Sequence, residues 1–395
     1  MPLRWRLRVR DRLRKLYYSI GIHGAPPGTL FFYLHTRLRK WVHRRLYRYA
    51  SGDLFARAAF GGRPYYDIQR VRSTRQIDGF ALIFFMGIGD YLFATPTIEA
   101  LRLAYPGMLL YAYASTNADA VNSPVLADML RANRFIDAVF TYQGKPGRTW
   151  IEYDFRVCLK DIPKSFLILP VIYDTNEAVF HRVSSLLETF RLPVRLPLPV
   201  PVLDITEPSA AASRILSDIR HCVARNSPPA VVFCHFGTRS SAYLYPHRDD
   251  LVRALARAGY VVVTFSQSDV SDSRVIGIDA GRITPNDTIG ILRSIKDDGR
   301  NVYIISVNSV MWPISAGLGI TNLGLHIFHD MSIHQYIYPN LFVVTQHFYT
   351  RLSPSRLFLA PNGRYAERPS STGTILTDYN ADYILECFSR MVDQV

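Results

Sequence analysis

The stretch GIGDYLFATP at residues 87–96 holds the first residues suited to chemistry: Gly87 and Gly89 flank a turn directly after the apolar run FALIFFM (80–86), and Asp90 opens a stretch of helical spacing. Glycines there let a ligand approach the backbone, and amides at a helix start favour anions. A carboxylate at the mouth of such a turn suits a general base, and it also serves as an ordinary N-cap. A dinucleotide fingerprint is excluded, because Leu92 stands where GxGxxG needs its third glycine and no acidic residue ends the next strand, YAYASTNA (111–118). Metal chemistry lacks ligands: there is no Asp-x-Asp triplet, and Cys158, Cys222, Cys234 and Cys387 lie far apart without a CxxC pair. His326, His329, His334 and His347 follow no standard ligand spacing.

The elements around Asp90 alternate between strand and helix. Strand-like runs at 80–86, 108–114, 137–142 and 153–159 enclose helical intervals such as SPVLADMLRAN (123–133), which predicts one parallel α/β sheet. Prolines 193, 197, 199, 201 and 208 then interrupt the chain and read as an interdomain connection. Beyond them the alternation restarts with AVVFCHF (230–236), YVVVTFS (260–266), VYIISVN (302–308), LGLHIFH (323–329) and LFVVTQ (341–346), so a second βα domain is expected. Ligands of such sheets bind at the carboxyl ends of the strands, which places the site between the domains. The last helix, ADYILECFSRMVDQ (381–394), gathers Ile384, Leu385, Phe388, Met391 and Val392 on one face and is expected to dock back across the first domain.

At 84–107, FFMGIGDYLFATPTIEALRLAYPG resembles the N-terminal signature of the bacterial ADP-heptose:lipopolysaccharide heptosyltransferase family: strand, glycine, GD, L, TP or LP, an AL-rich helix and a YP-like pair. Asp90, Leu92, Pro96, Ala100, Leu101, Tyr105 and Pro106 fall in place. The resemblance implies a GT-B glycosyltransferase, two Rossmann-like domains facing across a cleft, and makes Asp90 the base. At 234–246, CHFGTRSSAYLYP resembles the family's second motif, where Gly237, Thr238 and Arg239 offer amides, a hydroxyl and a guanidinium to a nucleotide diphosphate; a plain βα turn is the alternative. Tyr243 stands where the family has a lysine, a charge that Arg239 or Arg248 would replace. At 308–319 the third motif keeps Ser309 and the A-G-L-G helix, but Asn308 replaces an aspartate and Pro313 a histidine. Asn308 and Ser309 would face the donor sugar or phosphates.

The implied protein is an inverting enzyme that takes a sugar, heptose or a related one, from a nucleotide-diphosphate donor such as ADP-heptose, without metal or other cofactor, to a lipid-linked glycan such as lipopolysaccharide. The rival is an inactive GT-B scaffold that binds a glycan or a partner protein. The expected divisions are a basic extension at 1–78, an acceptor domain at 79–200, a donor domain at 201–375 and a C-terminal helix at 376–395.

The chain's 395 residues suffice for two cores, and 48% hydrophobic with 20% charged residues excludes a disordered or coiled-coil chain. No apolar run approaches the roughly 20 residues of a membrane-spanning helix. Residues 1–50 hold thirteen of the 46 Lys/Arg and one of the 32 Asp/Glu, so this arm carries +12 of the net +14 and the body is nearly neutral. After GAPPG (24–28), Phe31, Leu34, Leu38, Trp41, Val42, Leu46 and Tyr49 form a helical stripe among Arg and Lys. That pattern suits a helix lying on the anionic inner-membrane surface of a reducing cytoplasm, with packing on the body as the alternative and nucleic acid not the expected partner. Deleting residues 1–50 is expected to release the protein from anionic vesicles in flotation, at about 1 kcal/mol for each basic residue near the surface. A melting temperature that drops on truncation would instead show that the arm packs on the body.

Overall fold

The computed structural model describes residues 68, 72, 76–84, 87–115, 123–142, 161–171, 186, 187, 190, 192–193, 199–237, 245–265, 268–279, 281–307, 309–326, 338, 340–345, 356–359, 364–367 and 380–395. The basic arm and the 153–159 run lie outside them. The first unit comprises β1 (Gly79–Phe84), α1 (Ile88–Ala104), β2 (Leu109–Ser115), α2 (Ser123–Ala132), β3 (Ala138–Tyr142) and β4 (Phe166–Val171). Its strands run parallel in the order β3-β2-β1-β4. β1 is buried at every position, as a continuous apolar run in a central parallel strand requires. The strand beside it is Phe166–Val171, a segment absent from the strand-like runs read from the sequence. Among the described residues it is an edge strand, where the missing N–H of Pro170 costs no ladder bond.

The second unit comprises α3 (Ala210–Asn226), β5 (Val231–His235), α4 (Arg248–Arg257), β6 (Val261–Thr264), β7 (Val275–Gly277), α5 (Pro285–Asp297), β8 (Val302–Val307), α6 (Met311–Leu318), β9 (Thr321–His326), β10 (Leu341–Thr345), β11 (Arg356–Leu359), β12 (Arg364–Glu367) and α7 (Ala381–Val392). The sheet order is β12-β11-β10-β9-β8-β5-β6-β7, parallel from β10 to β7 with an antiparallel pair added at one edge. The chain enters at β5, builds outward to β7, then crosses to β8 and builds the other way. The switch point therefore lies between β5 and β8, and in the first sheet between β1 and β4. These are two Rossmann-like sheets, the expected α/β class.

Helix α7 does not cross the first domain. Ile384, Phe388 and Met391 join the second sheet's core, with Phe388 edge-on to Tyr260 (5.4 Å) and Tyr303 (5.6 Å). The physical reason is the face bearing Val232, Cys234, Ile305, Val307, Leu323 and Leu325, whose core α4 and α7 complete together.

Helix α1 ties the two units together. Pro96 has no N–H for the carbonyl of Leu92, so the Thr95 hydroxyl donates to that oxygen instead (2.7 Å). The same hydroxyl accepts from the amide of Val202 (2.8 Å), on the extended strap 199–208. On its other side the strap meets the second unit. Arg293 donates to the carbonyl of Leu203 (2.7 Å), and the Pro201 carbonyl presses on Gly317, where a Cβ would stand only 2.6 Å from it. Tyr338 donates to the Pro199 carbonyl (3.4 Å) and stacks on Phe93 of α1 with centroids 6.1 Å apart.

The strap ends at a charge-assisted cap. Asp287 accepts from the Ser209 amide (2.8 Å) and from the amide and hydroxyl of Thr284, closing a capping box on α5. Burial opposes ionisation of its carboxyl, but these bonds outweigh burial and hold its pKa below the ordinary value.

Two outcomes follow. Thr95→Val leaves two buried backbone groups without partners and is expected to lower stability in urea unfolding by about 2–4 kcal/mol, while Thr95→Ser costs under about 1 kcal/mol. Because the folded pKa of Asp287 is depressed, its contribution is full above the unfolded value of about 3.9 and fades as pH falls through the folded value. Asp287→Asn is therefore expected to cost about 1–3 kcal/mol at pH 7, with the gap to wild type closing under acid, as read from unfolding midpoints across pH.

Candidate active site

The turn between β1 and α1 and the turn between β8 and α6 meet. Gly89 lies against Val310: a Cβ on the glycine would stand 3.7 Å from the valine Cα. Asp90 follows Gly89 and Ser309 precedes Val310, so the two sequence-predicted residues are brought to facing turns of different sheets. Asp90 occupies the first turn of α1 and is half-buried. Its carboxylate lies beside Gly87, 3.9 Å from where a Cβ would stand. Gly87 caps α1 without a side-chain bond. Tyr91, next along α1, anchors the helix by donating to the Met129 carbonyl (3.1 Å) while accepting from Asn133 (3.1 Å). Burial raises its pKa well above the ordinary 10, so the phenol stays a donor.

On the second sheet, the Ser309 hydroxyl accepts from the Met311 amide (3.3 Å) just before α6, whose N-cap position is Val310. Pro313 falls in the first turn of this helix, buried, where its missing N–H costs nothing. Gly237 lies two residues past the end of β5, beside the start of the same corner, because His235 is the register partner of Ser306 in β8. Thr238, Arg239, Tyr243 and Asn308 lie outside the described residues. Arg248 is the first residue of α4 and lies 4.0 Å from Asp249. The corner thus collects the starts of α1 and α6; at α6 the Met311 and Trp312 amides bond the hydroxyl and carbonyl of Ser309 and Pro313 has no N–H, so the partial positive charge of free first-turn amides belongs to α1.

Sequence reasoning assigned no role to His235, the last residue of β5. Its signal was available: a histidine closing an otherwise apolar central strand, VVFCH. Burial pushes its pKa from the ordinary 6.5 down to about 4, against a smaller backbone contribution that raises it. The ring is therefore neutral at physiological pH.

A groove of about 750 Å³ runs along the strap, lined among others by Glu99, Arg134, Asp204, Arg293 and Gly317. Glu99 lies nine residues beyond Asp90 on α1, roughly 13 Å along the helix, so this groove is on the far side of α1 from the facing turns. Among the described residues no group of three His, Cys, Asp or Glu is gathered to hold a metal, and no helix is long and apolar enough to cross a membrane.

No protein-family model and no curated protein matches the chain. Solved structures do. A glycosyl transferase family 9 protein from Veillonella parvula superposes with a TM-score of 0.52 at 12% identity, over 81% of this chain and 98% of that one. The chain shares its fold with a family 9 glycosyl transferase. The Escherichia coli ADP-heptose lipopolysaccharide heptosyltransferase II gives 0.49 at 14% identity, over 80% and 99% of the two chains. The E. coli heptosyltransferase WaaC with ADP-2-deoxy-2-fluoro heptose gives 0.45 at 12%, over 79% and 99%. The fold assignment is taken from the first, and it agrees with the two switch-point sheets of the GT-B arrangement.

Proposed function

We propose that the chain is a GT-B glycosyltransferase that moves a sugar from a nucleoside-diphosphate donor to a glycan acceptor. The observation that carries this reading is the meeting of the Asp90 turn with the Ser309 turn at the carboxyl ends of two Rossmann-like sheets. In the proposed reaction the Asp90 carboxylate takes the proton of an acceptor hydroxyl as that oxygen bonds to the anomeric carbon. The bond from that carbon to the diphosphate oxygen breaks from the opposite face, giving inversion. The departing diphosphate carries the electron pair, and the amides of the Gly237 turn lower the cost of its charge. Thr238 and Arg239 extend this donor side, with Asn308 and Ser309 on the sugar or phosphates and Gly87 and Gly89 leaving room at the acceptor face.

Within this reading the donor is ADP-heptose or a related nucleotide sugar, and the acceptor is a membrane-associated glycan such as lipopolysaccharide, reached by an enzyme held peripherally through residues 1–50. Support comes from the sequence motif around Asp90 and from the arm's charge. A second reading, a GT-B scaffold without turnover, is favoured by Tyr243, Asn308 and Pro313, which stand where the motifs have lysine, aspartate and histidine.

Asp90→Asn keeps size and hydrogen bonding but removes the base. It is expected to lower kcat by about 10²–10⁴ while donor affinity stays near wild type. Near-normal turnover in the variant would dismiss Asp90 as base. A wild-type protein that neither hydrolyses nor transfers from any nucleotide sugar, yet is thermally stabilised by a glycan, would select the scaffold reading.

A further inference from the structure

Helix α1 opens without a side-chain cap at Gly87, so the orientation of its first turn depends on what holds that turn from outside. One hold faces the second unit, where Gly89 lies against Val310 and Phe93 stacks on Tyr338. The other is Tyr91, whose amide closes the first helical bond on the Gly87 carbonyl (3.1 Å) and whose side chain runs into the first unit. At about 100° of rotation per residue, Asp90 falls between these two holds on the circumference of the helix. The direction of its carboxylate is therefore set by both.

The Tyr91 hold is specified to a single arrangement. Its ring meets Phe84 edge-on at the end of β1, with centroids 5.9 Å apart. Its hydroxyl donates to the Met129 carbonyl and accepts from the Asn133 side-chain amide, both at 3.1 Å, and all three residues are buried. The Asn133 oxygen is taken by the Phe135 amide (3.0 Å), so its NH2 is the group that faces the phenol, and the phenol proton must go to Met129. That carbonyl lies in the last turn of α2, and its usual helical donor, the Asn133 amide, bonds Leu130 instead (3.2 Å). The next residue, Arg134, donates its amide to Asp204 of the strap (3.2 Å), which ties the same turn to the link between the two units.

We propose that Tyr91 is the positioning residue of the site: with Asn133 it fixes the rotation of the first turn of α1, and so the direction in which the Asp90 carboxylate meets the acceptor hydroxyl. This rests on the reading of Asp90 as base and adds to it the group that aims the base.

The test is turnover of ADP-, GDP- and UDP-sugars by the full chain, with nucleoside-diphosphate affinity from calorimetry and folding from thermal unfolding. Tyr91→Phe keeps the ring and removes the hydroxyl. It is expected to lower kcat about tenfold while donor KM and nucleoside-diphosphate affinity stay within about twofold, since a misaimed base slows the chemical step without touching the donor side. Phe388→Leu, in the core under α7, lowers the unfolding midpoint and is expected to leave kcat unchanged. In an Asp90→Asn background, Tyr91→Phe is expected to cause no further loss, because a group that acts through the base has nothing left to aim. Wild-type kcat in Tyr91→Phe, an equal fall in Phe388→Leu, or a further tenfold loss on top of Asp90→Asn would each overturn the role of Tyr91 and leave Asp90 as base. Near-normal turnover in Asp90→Asn alone, or a wild type that turns over none of these sugars, would overturn that reading and this inference together.

Discussion

The first half of α1 and the strap that lies on it carry contacts between the two sheets near the candidate site. Gly89 meets Val310, Phe93 stacks on Tyr338, and Thr95 holds Val202. The helix can serve two cores because its mid-helix proline frees a carbonyl and its preceding threonine turns that defect into a bridge. A continuous hydrogen-bonded helix would leave the Thr95 hydroxyl redundant. Here the hydroxyl satisfies Leu92 and still has lone pairs for the strap, so the distance from Asp90 to the second sheet is fixed by the same group that repairs the helix.

The corner opposite Asp90 is held from below. Asn322 is fully buried between β8 and α6, accepting from Ser306 and donating to Ser315 (3.1 Å) and to the Met311 carbonyl (3.5 Å). Asn340 adds bonds to the carbonyls of Ser315 and Ile320. A buried polar network of this kind carries a large penalty if any member is lost, which fixes the seat of α6. Helix α6 therefore keeps its position by its underside, and its first turn is free to hold Pro313 and Trp312 in place of polar side chains. Pro313, the one departure from the heptosyltransferase motif that the described residues include, makes none of these bonds.

Charge is divided between regions by distance. The body is close to neutral, and under the proposed function an anion at the corner would be favoured by the partial charge of helix amides, which acts only within the first turn. The arm's full charges act on whatever polyanion or surface the chain meets from outside. Under the proposed function one field would orient a small ligand and the other the whole chain.

Composition and periodicity determined the fold class, the two-sheet division and the turn that carries Asp90, because a central parallel strand and an amphipathic helix each write their burial directly into residue spacing. The strands around β1, β2, β3, β5, β6, β8 and β10 were legible for that reason. The strand Phe166–Val171 was not, since Pro170 argues against a strand unless its place at the sheet edge is known. The docking partner of α7 was equally hidden: an apolar stripe states that a face must be covered and says nothing of which face covers it. Only the tertiary structure decided that the turns carrying Asp90 and Ser309 meet, through Gly89 and Val310, as these turns lie far apart in the chain and no local rule fixes such a meeting. Thr95 shows both halves at once. The sequence states that a proline breaks a helical bond there, and the fold decides that the repair also reaches the strap.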